Sequence, residues 1–467
     1  MRLALSLLVL TLLAPRLAAA DPTYAFATAT DFQSPVGCAS WVSIAPPRTA
    51  HPCVEDVSSD PVARWAFGLI YVVNRFNADN IQILDPTNSF HTVREFSVGN
   101  GTNPQDIAVV SPTKAYVSLY NAPYLLVVNP STGALTDSIP LGRFAGSDGI
   151  PDAARMWSYG GGSRIFVALQ RLQDFAPTDT SLIAVIDGAA DTVLDVDQDT
   201  PGVQCIKLLG TNPNSDLEWD ATRHRLLVCT VGSYGVLDGG VEAIDPDTYQ
   251  DLGYETTEAK LGGQLGDVAV SPSGRAYVTL TDVASGPSTL VRYDRDTGAQ
   301  VGAALFSTDN FALGDIEVNE LGELWLCDRT FTNPGLRVFN TTTDTPIAGP
   351  ISTGLPPADV LFEGSNLAVS VDPRPVPGSL ALLAAGPNPT RGEWSMKFAV
   401  GEGAALPARL RVYDARGAQV DGVDLGPTGP GQHAVTWRAR RGLASGSYFF
   451  RLERGGEART GRVILER

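Results

Sequence analysis

The stretch Gly266–Thr297, GDVAVSPSGRAYVTLTDVASGPSTLVRYDRDT, decides the fold. An aspartate opens a short apolar strand, a Ser-Pro-Ser-Gly turn follows, and a second strand alternates apolar and polar side chains. A polar loop then leads to a third strand that ends on Asp294. Similar units recur along the chain, and self-similarity at a fixed period is the signature of a repeat fold.

Seven copies of this unit each begin at an aspartate. The spacing between starts is 44 to 64 residues, close to the roughly 40–50 residues of a four-stranded propeller blade. The sequence therefore predicts an all-β chain with a seven-bladed β-propeller over residues 21–372. Six or eight blades remain open, because the insertion near residues 171–215 has room for extra strands. The seven starts are Asp60, Asp106, Asp152, Asp216, Asp267, Asp315 and Asp359.

The two ends of the propeller segment complement each other. The last copy stops after two predicted strands, near Asp372, and residues 24–44 supply two more strands before the first copy begins. We therefore expect the N-terminal strands to complete the seventh blade, because this closure removes an exposed sheet edge.

Composition restricts the class of partner. The chain has 467 residues with 34 Lys and Arg against 51 Asp and Glu, a formal net charge of −17. This acidity disfavours nucleic acid or an anionic membrane as the main partner. The 4 histidines lie in unrelated contexts, and no phosphate-binding loop, zinc motif or Ser-His-Asp arrangement is recognisable. We predict no catalytic residue from the sequence.

Residues 1–20 are typical of a secretory signal peptide: an Arg at position 2, an apolar run over 3–13 and a small-residue cleavage site. A short membrane anchor is the alternative, but the apolar run is too short to span a bilayer. The mature protein is therefore expected to be exported, which permits disulfides. Of the 5 cysteines, Cys38 and Cys53 are predicted to pair, whereas Cys229 and Cys327 occupy equivalent, buried positions in two copies.

Composition changes after Asp372. A Pro-rich linker over 373–379 precedes residues 380–467, which contain 13 Lys and Arg against 8 Asp and Glu. Short alternating strands, among them WSMKFAV and GSYFFRLERG, predict an immunoglobulin-like β-sandwich of about 90 residues.

Two resemblances accompany these patterns. Residues 21–372 resemble the YVTN/YncE-type β-propeller family. The resemblance lies in the segments LIYVVN, KAYVSL, RAYVTL, VVNPSTG, AIDPDT and YDRDTG. That family includes binding proteins, lactonases and lyases, so the resemblance implies a fold and no activity. GPNPTRG, LRVYDARGAQV and LASGSYFFRLERGGEARTGRVILE resemble FlgD-like immunoglobulin domains and the C-terminal sorting domains of type IX secretion. This second resemblance implies a module for export or surface attachment.

The seven start aspartates have two interpretations. Each carboxylate could accept backbone N–H bonds in the turn that enters its strand. Alternatively, the seven could form an acidic ring at the mouth of the channel and hold a hard cation such as calcium. If several carboxylates converge there without a cation, their repulsion should raise some of their pKa values.

Two further sets of residues are candidates for binding. The run Asp195, Asp197, Asp199 could wrap calcium or form a solvated acidic loop, and it lacks the glutamate that ends a helix-loop-helix calcium site. The loops between second and third strands should cluster on one propeller face, where they serve recognition or ordinary loop packing. They carry Arg75, Phe76, Asn77, Tyr120, Arg171, Tyr234, Asp282, Arg329 and Phe331.

These features favour an exported, monomeric, non-enzymatic propeller that binds a protein, polysaccharide or small ligand through one face. Its C-terminal domain would engage the export machinery or attach the protein to the cell surface. The alternative is a propeller enzyme, a metal-assisted lactonase or lyase with carboxylates at the channel mouth. A structural spacer without a dedicated ligand is the third hypothesis.

Overall fold

The computed structural model describes residues 22–364 and, with short gaps, residues 380–466. The predicted signal peptide and linker lie outside the described residues. The chain divides into two units, one ending at Ala368 and the other beginning at Val369. Each unit is described by itself.

The first unit contains seven blades, each built on a four-stranded antiparallel sheet. The blade that joins the two ends of the unit, blade 7, takes three strands from the N-terminal side and one from the C-terminal side. This differs from the expected two and two, because the segment after the Pro-rich loop forms a strand. The expected second C-terminal strand, 367–371, lies outside the described residues. Blade 7 comprises β1 (Tyr24–Ala29), β2 (Val36–Ser43), β3 (Ala50–Ser58) and, innermost, β31 (Pro357–Phe362).

Contacts along β1 show how blade 7 closes. Phe26 lies opposite Leu361 in the antiparallel pairing of β1 with β31. Just before β1, the Thr23 hydroxyl donates to the Glu363 carboxylate at 2.8 Å. The predicted disulfide is confirmed, and it links Cys38 on β2 to Cys53 on β3.

Blades 1 to 3 follow in chain order. The insertion in blade 3 adds a small separate hairpin and a short extra strand and leaves the number of blades at seven. The strands of blade 1 are β4 (Pro61–Ala66), β5 (Leu69–Asn74), β6 (Asn80–Asp85) and β7 (His91–Ser97); of blade 2, β8 (Pro104–Ser111), β9 (Lys114–Leu119), β10 (Tyr124–Asn129) and β11 (Ala134–Pro140); of blade 3, β12 (Ala153–Tyr159), β13 (Arg164–Leu169), β16 (Leu182–Asp187), β17 (Thr192–Val193) and β18 (Ile206–Lys207), with the hairpin β14 (Leu172–Gln173) and β15 (Ala176–Pro177).

Blades 4 to 6 complete the ring. A four-residue helix, α1 (Glu258–Leu261), connects blades 4 and 5. The strands of blade 4 are β19 (Glu218–Asp220), β20 (Arg225–Thr230), β21 (Gly240–Asp245) and β22 (Gln250–Thr257); of blade 5, β23 (Gln264–Val270), β24 (Ala276–Thr281), β25 (Ser288–Tyr293) and β26 (Phe306–Ser307); of blade 6, β27 (Leu313–Val318), β28 (Glu323–Asp328), β29 (Gly335–Asn340) and β30 (Thr345–Ile351).

The core of the propeller lies between the blades. One cluster of buried apolar side chains fills each of the seven junctions between neighbouring blades. At the closing junction, Phe26 of blade 7 packs with Ile70 and Val72 of blade 1. Burying one such side chain contributes about 1.5–3 kcal/mol, so each junction is a substantial part of the stability.

The repeated aspartate or asparagine at the end of the third strand in blades 1 to 6 caps the turn that follows. In blade 5 the Asp294 carboxylate accepts the backbone N–H groups of Asp296 at 3.1 Å and Thr297 at 2.8 Å. The next glycine, Gly298, has φ +69°, which a residue with a Cβ adopts at a cost. This local chemistry explains the recurring D-x-x-T-G pattern.

The tyrosine that recurs in the second strand links blades 2 and 5 to the blades that follow them. Tyr277 of blade 5 donates its hydroxyl to Asp344 at 2.7 Å and to the Thr341 carbonyl at 3.0 Å, both in a turn of blade 6. Tyr116 of blade 2 makes the same kind of bond to Asp191 of blade 3. The tyrosines of these YVTN-like segments therefore stabilise contacts between blades. This role does not depend on which ligand the propeller binds.

The second unit is a sandwich of two antiparallel sheets. Trp394 and Met396 of one sheet and Leu410 and Phe450 of the other share a single buried cluster. One sheet contains β32 (Leu380–Gly386), β33 (Glu393–Val400) and β36 (Gly431–Arg438); the other contains β34 (Leu406–Tyr413), β35 (Gln419–Thr428), β37 (Gly446–Arg454) and β38 (Glu457–Leu465).

One buried carboxyl in blade 4 makes the stability of the propeller sensitive to pH. Burial, together with the nearby Asp251 carboxylate, raises the pKa of Glu242 to about 8. The folded state thus keeps a proton that the unfolded chain loses above its ordinary pKa of about 4.3. The contribution is fully present below that value and is lost as pH rises from about 4.3 to 8.

We expect Asp251→Asn to stabilise the protein at pH 8.5 by about 1 kcal/mol, equivalent to a pKa change of less than one unit at Glu242. The amide keeps the bond that Asp251 accepts from the Gly253 N–H and removes the repulsion. Urea unfolding at pH 8.5 and pH 5.0 measures this effect. At pH 5.0 the gain should vanish, and an equal gain at both pH values would contradict the explanation. Asp309→Asn, at an exposed site, is the control.

Candidate functional site

The loops and the inner strands define two faces of the propeller. Because neighbouring strands are antiparallel, the connections between second and third strands lie on the face where the inner strands begin. We call this the upper face and the opposite one the lower face. Contacts between inner strands run from β31 to β4, β8 and β12, and from β19 to β23, β27 and β31.

Strand pairing shows which inner-strand residues are equivalent. The register between inner and second strands aligns Ala63 with Val72, Ile107 with Val117 and Ile316 with Leu326. Five of the seven predicted aspartates fall at one equivalent position, just before these residues. Asp60 and Asp152 do not, because they lie two and three residues before the equivalent positions, which Val62 and Arg155 occupy. The equivalent residues from blade 1 to blade 7 are Val62, Asp106, Arg155, Asp216, Asp267, Asp315 and Asp359.

Most of these aspartates bind the backbone of the next blade. An inner strand has no ladder partner on the channel side, so its inward N–H groups need another acceptor. The Asp359 carboxylate accepts the Ala63 N–H at 2.8 Å, across the closing junction. Four more carboxylates accept a backbone N–H of the next blade in the same way, at 2.7–3.1 Å. The donors are Met156 for Asp106, Ile316 for Asp267, Val360 for Asp315 and Val270 for Glu218. These carboxylates therefore accept N–H bonds between blades, and Asp106 also accepts the Ile107 N–H of its own strand at 2.8 Å.

Two arginines reach into the ring from blades 1 and 3. Arg64 holds Asp106 with two bonds, Nε to Oδ1 at 2.8 Å and Nη2 to Oδ2 at 2.9 Å, and it contacts Asp216 at 3.0 Å. Arg155 binds the other oxygen of Asp216 at 3.0 Å. Burial opposes the ionisation of Asp216, but Arg64 and Arg155 outweigh it and lower its pKa.

The carboxylates of blades 4 to 7 outnumber these arginines. We call Asp216, Asp267, Asp315 and Asp359 the acidic arc. Burial raises the pKa of Asp267 to about 6. Burial, together with Asp359 and Asp267, raises the pKa of Asp315 well above its usual range. The expected effect of converging carboxylates on pKa is present in this part of the ring.

Two glutamates, Glu218 and Glu317, lie two residues further along the chain than Asp216 and Asp315. Burial, with Glu218 as neighbour, raises the pKa of Glu317 well above its usual range. Burial, followed by the Asp267 charge, raises the pKa of Glu218 to about 8. Both side chains keep some solvent exposure, so they line the channel rather than a dry core. The ring predicted from the sequence contained only aspartates, because the two glutamates do not recur at the same position in the other copies.

The remaining two predicted ring residues have local roles. Asp60 forms an ion pair with Arg75, one of the predicted face residues. Asp152 is 5% exposed and accepts the Leu172 N–H at 2.6 Å, and burial raises its pKa to about 6.

The upper face carries an unusual set of exposed aromatic side chains. Five lie on the connections between second and third strands. The sixth, Phe311, precedes Ala312, whose carbonyl accepts the N–H of Arg329 on such a connection. On the lower face of the described propeller, only Phe67 is comparably exposed. The six are Phe32 (51% exposed), Phe76 (63%), Phe175 (74%), Tyr234 (57%), Phe311 (77%) and Phe331 (85%).

The other predicted face residues mostly support the loops. Arg171 binds Asp179 at 2.7 Å. Arg329 lies over the Phe32 ring at 4.1 Å. The Asp282 carboxylate accepts two N–H groups of its own turn, from Ala284 at 2.8 Å and Ser285 at 3.1 Å.

Tyr120 is half-buried, and burial raises its pKa. In the acidic run, Asp195 accepts the Gln204 N–H at 2.9 Å, and Asp197 accepts the Thr200 hydroxyl at 2.7 Å. The Thr200 bond lowers the pKa of Asp197. The oxygens of this run thus cap the loop itself.

Comparison with known proteins adds the fold alone. No protein-family model and no curated protein matches this sequence. Among solved structures, a functionally unknown protein from Desulfotomaculum acetoxidans matches at 12% identity and TM-score 0.47, over 73% of this chain and 98% of that one. The Dos1 propeller matches at 12% and 0.44, over 90% and 97%. The WD40 β-propeller domain of Doa1 matches at 12% and 0.41, over 66% and 87%.

Two of these three structures are described as propellers, the fold that the strand pairing of this chain shows. At such TM-scores they carry no argument about a ligand or an activity. In the described part of the chain, no helix has the length and apolar character that crossing a membrane would require.

Proposed function

We propose that this protein is a non-enzymatic binding protein that engages a basic, partly apolar peptide segment of a partner through its upper face. The observation that carries the proposal is the placement of six exposed aromatic side chains on that face against one on the lower face. Aromatic side chains held on rigid loops are enriched at protein interfaces. Exposing six of them without a partner is unfavourable in water.

Charge on the upper face favours a basic partner. Exposed aspartates that form no ion pair within the described residues lie on the loops of this face, four of them on loops that also carry an exposed aromatic residue. The arginines of the same loops are engaged, since Arg75 and Arg171 pair with aspartates and Arg329 lies over Phe32. Lysine and arginine of a partner can pair with the free carboxylates and contact the rings through cation–π interactions. These aspartates are Asp31, Asp174, Asp238, Asp282 and Asp309.

We expect the full chain to select peptides rich in Arg or Lys and apolar residues from a random-sequence peptide array. The double variant Phe311→Ala/Phe331→Ala should weaken binding at least tenfold, because it removes the two most exposed rings. Raising the salt from about 0.1 to 0.5 M should weaken it further by screening.

The lower-face variant Phe67→Ala is the matched control and should bind like the unchanged chain. If Phe67→Ala weakens binding and the double variant does not, the wrong face has been chosen. If the selected peptides are acidic, or if none binds, the proposed ligand class is wrong.

We propose in addition that residues 1–20 direct export and that residues 380–467 serve export or surface attachment. The disulfide Cys38–Cys53 supports an oxidising compartment. A cation such as calcium at the channel mouth would be compatible with binding and would not by itself indicate the alternative, a lactonase or lyase.

Deleting residues 376–467 should move the protein out of its normal surface or medium fraction, because the propeller would lack its attachment module. Fractionation and immunoblotting of the producing cells measure this. A truncated protein that reaches the same fraction as the full chain would contradict the role given to the C-terminal domain.

A further inference from the structure

The acidic arc brings carboxylate oxygens to within the span of one metal ion. Single oxygens of Asp216, Asp315 and Asp359 all lie within 4.8 Å of one another. Calcium binds oxygen ligands at about 2.3–2.6 Å, so two ligands on opposite sides of it are separated by about 5 Å. The three oxygens can therefore surround one such ion without a change of backbone.

The backbone fixes these carboxylates and leaves oxygens facing inward. Asp267, Asp315 and Asp359 each use Oδ2 to accept an N–H from the next blade, at 3.1, 2.7 and 2.8 Å. Their second oxygens are not held by these N–H groups: the Asp267 carboxylate contacts the Asp315 carboxyl, and Asp359 Oδ1 lies 4.0 Å from Arg64 Nη1. Because blades 5, 6 and 7 are consecutive, the three second oxygens follow one another around the same side of the ring.

Asp267 provides an independent observation that points to a ligand. Its side chain is 8% exposed, and its Oδ1 is buried without any N–H or O–H donor among the described residues. The group that neighbours it is the Asp315 carboxyl. A buried oxygen without a donor costs free energy, and two neighbouring carboxyl groups need a shared proton or a cation.

Arg64 compensates Asp106 and Asp216 and leaves Asp267 and Asp315 without a close cation. Its two bonds to Asp106 hold the guanidinium toward blade 2, its Nη2 contacts Asp216 at 3.0 Å, and its Nη1 lies 4.0 Å from Asp359 Oδ1. Arg155 is engaged by Asp216. Four aspartates together with Glu218 and Glu317 thus face two guanidinium groups, and negative charge remains on the side of blades 5 to 7.

We infer that the acidic arc binds one hard divalent cation of the calcium class, with Asp216, Asp315 and Asp359 as ligands and Asp267 completing the site. An all-oxygen donor set suits calcium, whereas zinc prefers nitrogen and sulfur ligands. Water in the channel supplies the remaining ligands of a six- to eight-coordinate ion. Calcium binding at this site does not require a peptide on the upper-face loops. The dissociation constant for calcium should resemble that of extracellular calcium modules, on the order of 10⁻⁴–10⁻³ M.

Isothermal titration of the chelator-treated full chain with calcium chloride tests the inference. We expect one ion per chain and a melting temperature that rises with calcium concentration. Asp315→Asn and Asp359→Asn should each weaken binding at least tenfold, since an amide oxygen replaces a charged ligand. Asp137→Asn, at an exposed position on β11, should bind calcium like the unchanged chain.

No saturable binding up to about ten times the expected range would overturn the inference. So would binding that survives both arc variants and is lost in Asp195→Asn/Asp197→Asn. If circular dichroism shows that an arc variant is misfolded, Asp267→Asn replaces it, because its amide oxygen can still accept the Ile316 N–H. Unchanged calcium affinity in folded Asp267→Asn would count against the site.

Discussion

Replacing Arg64 by alanine should destabilise the propeller by about 3–5 kcal/mol near pH 8, the usual cost of removing one partner from a buried ion pair. The substitution leaves the buried Asp106 without its two guanidinium bonds and removes a charge from beside Asp216 and Asp359. Urea unfolding followed by tryptophan fluorescence measures the loss. The loss should be smaller at pH 5, where carboxylates with raised pKa values take up protons.

Arg223→Ala is the matched control for this prediction. Arg223 pairs with Asp296, whose side chain is 82% exposed, and its other contacts are longer, 3.3 Å to the Arg295 carbonyl and 4.0 Å to Glu255; exposed pairs contribute only about 0–1 kcal/mol. An Arg64→Ala variant that loses no more than Arg223→Ala would show that Arg64 does not compensate the ring.

The second large effect concerns closure of the ring. Deleting residues 22–58 removes β1, β2 and β3, so β31 loses its ladder partner and the buried junctions on both sides of blade 7 open. We expect this variant to lose its cooperative thermal transition, because an open ring exposes both apolar faces and a sheet edge. Circular dichroism and size-exclusion chromatography measure the outcome.

A permuted variant tests whether ring closure depends on the three strands themselves or on their position at the N-terminal end of the chain. Thr23 already bonds Glu363, so residues 22–58 can follow Gly364 directly and place all four strands of blade 7 in chain order. This permutant should melt within a few degrees of the unchanged chain. If the deletion variant keeps its transition, or if the permutant does not fold, blade 7 is not the closure that the pairing indicates.

The sequence predicted the number of blades because each copy repeats the residues that its turns and junctions need. Asp294 caps a turn and Tyr277 bonds the next blade, so these residues recur whatever the protein binds. The same logic predicted closure by the N-terminal strands. It underestimated their number, because the polar segment 50–58 carries little of the alternation that marks a half-buried strand.

The candidate site was less predictable. Counting from the first aspartate of each copy placed Asp60 and Asp152 with the other five, yet strand pairing puts Val62 and Arg155 at those positions. Blades 1 and 3 have no aspartate at the equivalent position, and only the strand register distinguishes that position from the aspartate two or three residues earlier. Arg64 was missed because only pairing shows that it reaches two neighbouring aspartates. The aromatic character of the upper face was partly visible in Phe76, Tyr234 and Phe331, whereas exposure itself required the structure.

Photo-crosslinking tests the central claim, that the upper face is the binding surface, most directly. Benzoylphenylalanine replaces Phe331 in one variant of the full chain and Phe67 in another, and each is irradiated with a selected basic peptide. We predict a cross-linked product from position 331, competed by unlabelled peptide, and none from position 67. Cross-linking from position 67 with none from position 331 would contradict the account.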